Sequence, residues 1–178
     1  LALLLIWGIP YQIFPVIALC CNIIVVSGNC FNYIRAGNIN IRLLTPYLTS
    51  SIPLAFIGGS LSIEKDVFEI LLFIVLTLAG ILLLLKFQSF DETKKNYKKI
   101  PKIISFLIGG IIGFISGVVG IGGGIFLSPV LLLIKAGQAK HIATTASLFI
   151  LINSIAGVAG QFTKDFILIE IVNYCLLF

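Results

Sequence analysis

Long apolar runs separated by short charged turns make up this chain. Uncharged stretches extend from Leu1 to Ile34, Leu43 to Ile63, Ile103 to Ile134 and Ile142 to Thr163. A helix needs about 20 residues to cross the hydrocarbon layer of a bilayer, so each stretch is long enough to span. Lipid offers no hydrogen-bond partners to an open backbone; such segments must be helical, or irregular only where protein or water covers them. Breaks at charges and at Gly/Pro clusters predict helices over 11–34, 43–63, 67–86, 103–120, 124–134, 142–162 and from 166 onward. The predicted fold class is all-α: a polytopic integral membrane helical bundle, multi-pass in the cell membrane.

Composition agrees with the pattern. Apolar residues make up 59% of the chain and charged residues 11%, with a mean hydropathy of +1.16, far more apolar than a soluble domain of this size can bury. Leu1 opens directly into apolar sequence with no basic start, and no Met occurs; Leu1 therefore reads as an internal residue of a longer chain rather than the start of a signal peptide. Cys20, Cys21, Cys30 and Cys175 form no C-x-x-C pair and have no His at metal-binding spacing, so they read as helix-packing residues, with neither a metal nor a cofactor expected. The net charge of +5 does not point to nucleic acid, because the lysines lie between spans and lack interleaved aromatics.

The charges instead set topology. Lys86, Lys94, Lys95, Lys98, Lys99 and Lys102 against Asp91 and Glu92 mark a cytoplasmic loop by the positive-inside rule. The turn with Arg35 and Arg42 then falls on the same side, and the turn with Glu64, Lys65 and Asp66 falls outside. If the run 103–134 enters and returns as a hairpin at Gly120-Ile121-Gly122-Gly123-Gly124, Lys135 and Lys140 also land inside. The expected organisation is 1–87 as the latter part of a first transmembrane repeat, 88–102 as the cytoplasmic Lys-rich loop and 103–178 as the first part of a second repeat. A shift of 131 residues supports two repeats, placing Asn22 on Asn153, Val26 on Gly157, Gly28 on Ala159 and Phe31 on Phe162. An odd number of crossings between equivalent turns makes the halves inverted, a common transporter architecture.

The glycine turn carries the candidate chemistry. Gly120, Gly122, Gly123 and Gly124, followed by a helix from Ile125, offer free backbone N–H groups and a positive helix end near mid-membrane, which suits a small anion without burying a lysine. Thr144, Thr145 and Ser147 are candidate hydroxyl donors, Asn153 a candidate amide donor and Asn22 its counterpart. The competing reading is that the glycines let helices pack closely, and that the hydroxyls bond their own helix carbonyls. Glu69 and Glu170 near predicted helix starts, and His141 beside Lys140, are read as interfacial residues rather than proton carriers. A dinucleotide loop is excluded, since G-x-G-x-x-G fails at Ile125. No span holds a nucleophile with a base, so no enzyme is expected.

The stretch Gly113–Gly160 resembles the sulfite exporter TauE/SafE family of membrane permeases. The resemblance rests on Gly117, Gly120, Gly122, Gly123, Gly124, Pro129, Gly137, the run Ala143-Thr144-Thr145-Ala146-Ser147, and Asn153-Ser154 before Gly157. The first half is similar from Asn22 onward, through Tyr33, Arg35, Gly37, Asn38 to Arg42, and Gly58-Gly59. The chain departs at Ile13-Phe14-Pro15, where its second half has Thr144-Thr145-Ala146, so the hydroxyls are not repeated. What the resemblance implies is a secondary transporter moving sulfite, sulfonates or related small organic anions. Its partners would be that anion and the lipid bilayer, and a homo-oligomer is compatible with the sequence. The alternative from another class is a non-transporting membrane scaffold or subunit.

Overall fold

A computed structural model of the protein describes residues 13–37, 39–86, 101–134 and 136–164. Among these, every regular element is an α-helix: α1 (Phe14–Arg35), α2 (Ile41–Ser60), α3 (Lys65–Lys86), α4 (Lys102–Val119), α5 (Gly124–Leu133) and α6 (Ala139–Gln161). The boundaries lie within three residues of those read from the sequence. The expected helix beyond 166, Glu170, and most of the Lys-rich loop lie outside the described residues. Among the described residues three helices are long and apolar enough to cross a membrane, namely α1, α4 and α6, and the ten-residue α5 is a shorter apolar helix. The protein is a multi-pass membrane protein.

Local chemistry sets several of the helix ends. α1 begins with Pro15 in its first turn, where a missing N–H removes no helix bond. α2 is capped by Asn40, whose side chain accepts from the Leu43 amide at 3.3 Å. α3 carries Asp66 in its first turn, favoured by the helix dipole. Glu69 is half-exposed and pairs with Lys65 at 3.7 Å.

A seam of small residues joins α2, α4 and α6. Gly109, Gly113 and Gly117 repeat every fourth residue along α4 and meet Tyr47, Ser51 and Ala55, spaced likewise on α2. A Cβ at Gly113 would stand 2.6 Å from the Ser51 Cα, and one at Gly109 2.7 Å from the Tyr47 Cα. On the next face of α2, a Cβ at Gly59 would meet the Gly157 carbonyl oxygen of α6 at 2.5 Å, and Gly160 lies against the Phe56 carbonyl. Backbones approach this closely only where side chains are nearly absent, the usual device where lipid supplies no hydrophobic drive between helices. Gln161, buried at the end of α6, ties the third corner by donating to the Gly117 carbonyl at 3.3 Å.

Around this seam a core forms from Leu44 and Tyr47 of α2, Val75 and Ala79 of α3, Ile112 of α4, Phe126, Leu127 and Leu131 of α5, and Ile142 and Phe149 of α6. The short α5 packs against α3 and α6, which carries the preceding break into the interior. Outward positions such as Ile70, Phe73 and Ile74 of α3 and Ile103, Leu107 and Ile111 of α4 are exposed apolar residues, the pattern of a surface solvated by lipid tails.

Candidate functional site at the glycine break

Between α4 and α5 the backbone leaves helical geometry over four residues. Gly120 caps α4 with φ +81°, its amide donating to the Ser116 carbonyl at 2.8 Å. Gly122 and Gly123 follow at φ +80° and +68°. Each such conformation costs a residue with a Cβ about 1–2 kcal/mol, so three of the break's glycines are required by conformation alone. The turn closes with the Gly124 amide donating to the Gly122 carbonyl at 2.9 Å, and α5 starts with the Phe126 and Leu127 amides donating to the Gly123 carbonyl.

That hydrogen-bond pattern leaves a gap. The amides of Ile121, Gly122 and Gly123 donate to no acceptor among the described residues, although Gly122 and Gly123 are buried. Buried backbone donors are almost always paired, and an orphan costs free energy comparable to a lost hydrogen bond. Successive unpaired amides at the positive end of a helix are chemically suited to an acceptor.

The groups packed against the break come from α1, α4 and α6. A Cβ at Gly120 would meet the Pro15 Cα at 2.5 Å; one at Gly122 would meet Asn22 Nδ2 at 2.8 Å, Ile150 Cγ2 at 2.9 Å and Ser154 Oγ at 3.2 Å. At Gly123 the neighbours are Ile112, the Phe149 ring at 3.0 Å and the Ser116 Cβ at 3.2 Å, and Gly124 lies against Ile150 and the Ala146 carbonyl. All of these groups are uncharged. Ser116 and Ser154 are buried, and their hydroxyls have no hydrogen-bond partner among the described residues.

The candidates named from sequence fall into two sets. The structure brings Gly120, Gly122, Gly123, Gly124 and Asn22 together. Thr144 and Thr145 are buried, but their hydroxyls donate to the Lys140 and His141 carbonyls of their own helix at 2.9 and 2.7 Å, and Ser147 is half-buried. Asn153 is fully buried and its Nδ2 donates to the Phe149 carbonyl at 2.9 Å. Since a carbonyl can only accept, that bond fixes the carboxamide and leaves Oδ1 as an unpartnered acceptor. Asn153 therefore offers an acceptor where a donor was expected. Ser116 and Ser154 were missed as site residues. Their signal was modest: a serine one turn before the first break glycine, and another beside Asn153 in an apolar helix.

Comparison with known proteins bears on the family of the chain. The chain is 30% identical over 152 residues to a probable membrane transporter protein of Sinorhizobium fredii, covering 85% of this chain and 61% of that protein. It is 28% identical over 137 residues to a probable membrane transporter protein of Methanocaldococcus jannaschii, covering 76% of this chain and 50% of the relative. The chain thus spans about half to three-fifths of the length of these relatives. No solved structure matches it. The profile of the sulfite exporter TauE/SafE family matches residues 1–178, and the chain belongs to that family of membrane transporters.

Proposed function

We propose that this chain forms part of a secondary transporter for small anions such as sulfite, sulfonates or related organic anions, with the anion held at the glycine break between α4 and α5. The observation that carries the reading is the run of unpaired amides at the half-buried Ile121 and the buried Gly122 and Gly123, close to Ser116 and Ser154, whose hydroxyls have no partner among the described residues. A negative ion supplies the missing acceptor, and donors fixed by a rigid backbone need no reorganisation to receive it. No basic side chain is then needed inside the membrane.

The break is the turn of a hairpin that enters and leaves on the cytoplasmic side, and the two halves of the chain, 1–87 and 103–178, are inverted repeats joined by the loop 88–102. What supports this is the pairing of α1 with α6, the helices that a 131-residue shift superposes, and the position of Asn22 against Gly122. Rocking of one half against the other would expose the bound anion alternately to each face.

The scaffold alternative draws support from Gly109, Gly113 and Gly117, which do serve close packing of α4 on α2. Packing does not account for the unpaired amides of the break. Flux of radiolabelled sulfite into proteoliposomes separates the two readings. Uptake above protein-free vesicles, lost in Gly123→Leu, is the expected result; equal flux with and without protein overturns the transporter reading.

A further inference from the structure

Asn153, on the α6 face that packs beside the break, carries a buried acceptor without a partner, and that acceptor bears on which anion the site takes. Asn153 sits on the stripe Phe149, Asn153, Gly157 of α6, at four-residue spacing. Phe149 at one end meets Gly123, and Gly157 at the other would place a Cβ 3.6 Å from the Gly117 Cα and 3.0 Å from Leu19 Cδ1. The fully buried Asn153 therefore lies between two contacts with the segment 117–123. Its Oδ1 has no partner among the described residues, and the bond from Nδ2 to the Phe149 carbonyl prevents the carboxamide from turning its donor inward instead.

An aprotic anion or a fully ionised one has only lone pairs to offer. Either would fill the amides of Ile121–Gly123 while setting its own negative oxygens near Asn153 Oδ1, leaving that acceptor unpaired and repelled. A singly charged oxyanion that retains one O–H satisfies both sides. Its unprotonated oxygens accept from the amides, from Asn22 and from the serine hydroxyls, and its O–H donates to Asn153. Charge leads to the same choice, because the groups around the break are neutral and a second negative charge there would be desolvated without a counter-ion.

We infer that the site selects the hydrogen form of an oxyanion, the monoanion with one acidic O–H, over the dianion and over aprotic anions of similar size. Asn153 is the specificity-determining residue. This rests on the anion-site reading given under the proposed function.

The pH dependence belongs to the ligand. Titratable or charged groups on the surrounding helices, among the described side chains, are Cys20, Cys21, Cys30, Tyr33 and Arg35 of α1, Arg42 and Tyr47 of α2, Lys65, Asp66 and Glu69 of α3, Lys102 of α4, and Lys140 and His141 of α6; none is among the groups that approach Gly120 to Gly124 most closely.

The test is equilibrium binding of sulfite, sulfate and nitrate to the purified protein in detergent, as a function of pH. Sulfite affinity is expected to be greatest where hydrogensulfite predominates, and to fall about tenfold per pH unit once the second proton is lost. Nitrate, which has no proton to give, should bind at least about tenfold more weakly and without pH dependence, and sulfate should bind as poorly. Asn153→Leu should bring sulfite down to the nitrate level. Sulfite binding that is flat or rises with pH, or nitrate binding as tightly as sulfite, overturns the selectivity and leaves the anion site standing. Failure of all three anions to bind at any pH overturns the site itself.

Discussion

Gly122→Ala tests the link between the backbone of the break and its side chains. At φ +80° an alanine meets a left-handed penalty of about 1–2 kcal/mol. The new methyl would also stand 2.8 Å from Asn22 Nδ2, 2.9 Å from Ile150 Cγ2 and 3.2 Å from Ser154 Oγ, and overpacking of this kind costs about 1–3 kcal/mol. The sum, about 2–5 kcal/mol, can be lowered only by pushing Asn22 and Ser154 outward or rotating the turn, and either movement dismantles the donor set. Gly28→Ala is the internal control, because a Cβ there meets nothing within 4 Å and the backbone is ordinary helix. It should stabilise by about 0.5–1 kcal/mol. Thermal unfolding in detergent, with binding of radiolabelled sulfite on the same preparations, reads both effects. Gly122→Ala should unfold earlier and lose binding, while Gly28→Ala keeps binding. A Gly122→Ala protein that unfolds and binds like the parent would refute the reasoning.

Other substitutions separate packing from binding. Gly113→Ala places a methyl 2.6 Å from the Ser51 backbone and should lower stability by about 1–3 kcal/mol, seen as a lower melting temperature that added sulfite does not restore. Ser154→Ala removes a buried hydroxyl that has no partner, so the apo protein should be no less stable, yet sulfite affinity should fall about tenfold, the worth of one hydrogen bond to a charged ligand. Burial lowers the Lys164 pKa; among the described residues its ammonium donates to the neutral Gln161 Oε1 at 3.0 Å. The unfolded chain then holds that proton to higher pH than the folded one. Stability should rise as pH climbs from the folded pKa to the ordinary lysine value, and Lys164→Met should flatten that alkaline slope in melting curves. With the native cysteines replaced, single cysteines at Lys102 and Lys140, both exposed, should react from the same membrane face; labelling from opposite faces would refute the hairpin.

Helix positions were legible in the sequence because charges separate its apolar runs and glycines interrupt the longest uncharged stretch of its second half. The run from Ile103 to Ile134 carries no charge at all, yet its interruption was readable at Gly120 to Gly124, since glycines in series do not continue a helix. The sequence could not show which glycines do which work. Gly113 and Gly122 are one residue type in one run, but the first is ordinary helix lying on the α2 backbone and the second has a positive φ beside Asn22. Hydroxyl direction was equally hidden. Thr144, Thr145, Ser116 and Ser154 all sit in apolar helices; the threonines bond their own turn while the serines do not. The orientation of Asn153 follows from a single bond to the Phe149 carbonyl, a consequence of helix geometry that composition does not carry.

The central claim is that the unpaired amides of Ile121, Gly122 and Gly123 receive an anion. Selenite, an oxyanion of the same shape as sulfite with an anomalous scatterer at its centre, tests it in a crystal of the protein. An anomalous peak within hydrogen-bonding reach of those three amides and of Ser154 is predicted. A peak elsewhere, with the amides paired to protein or water, would contradict the account.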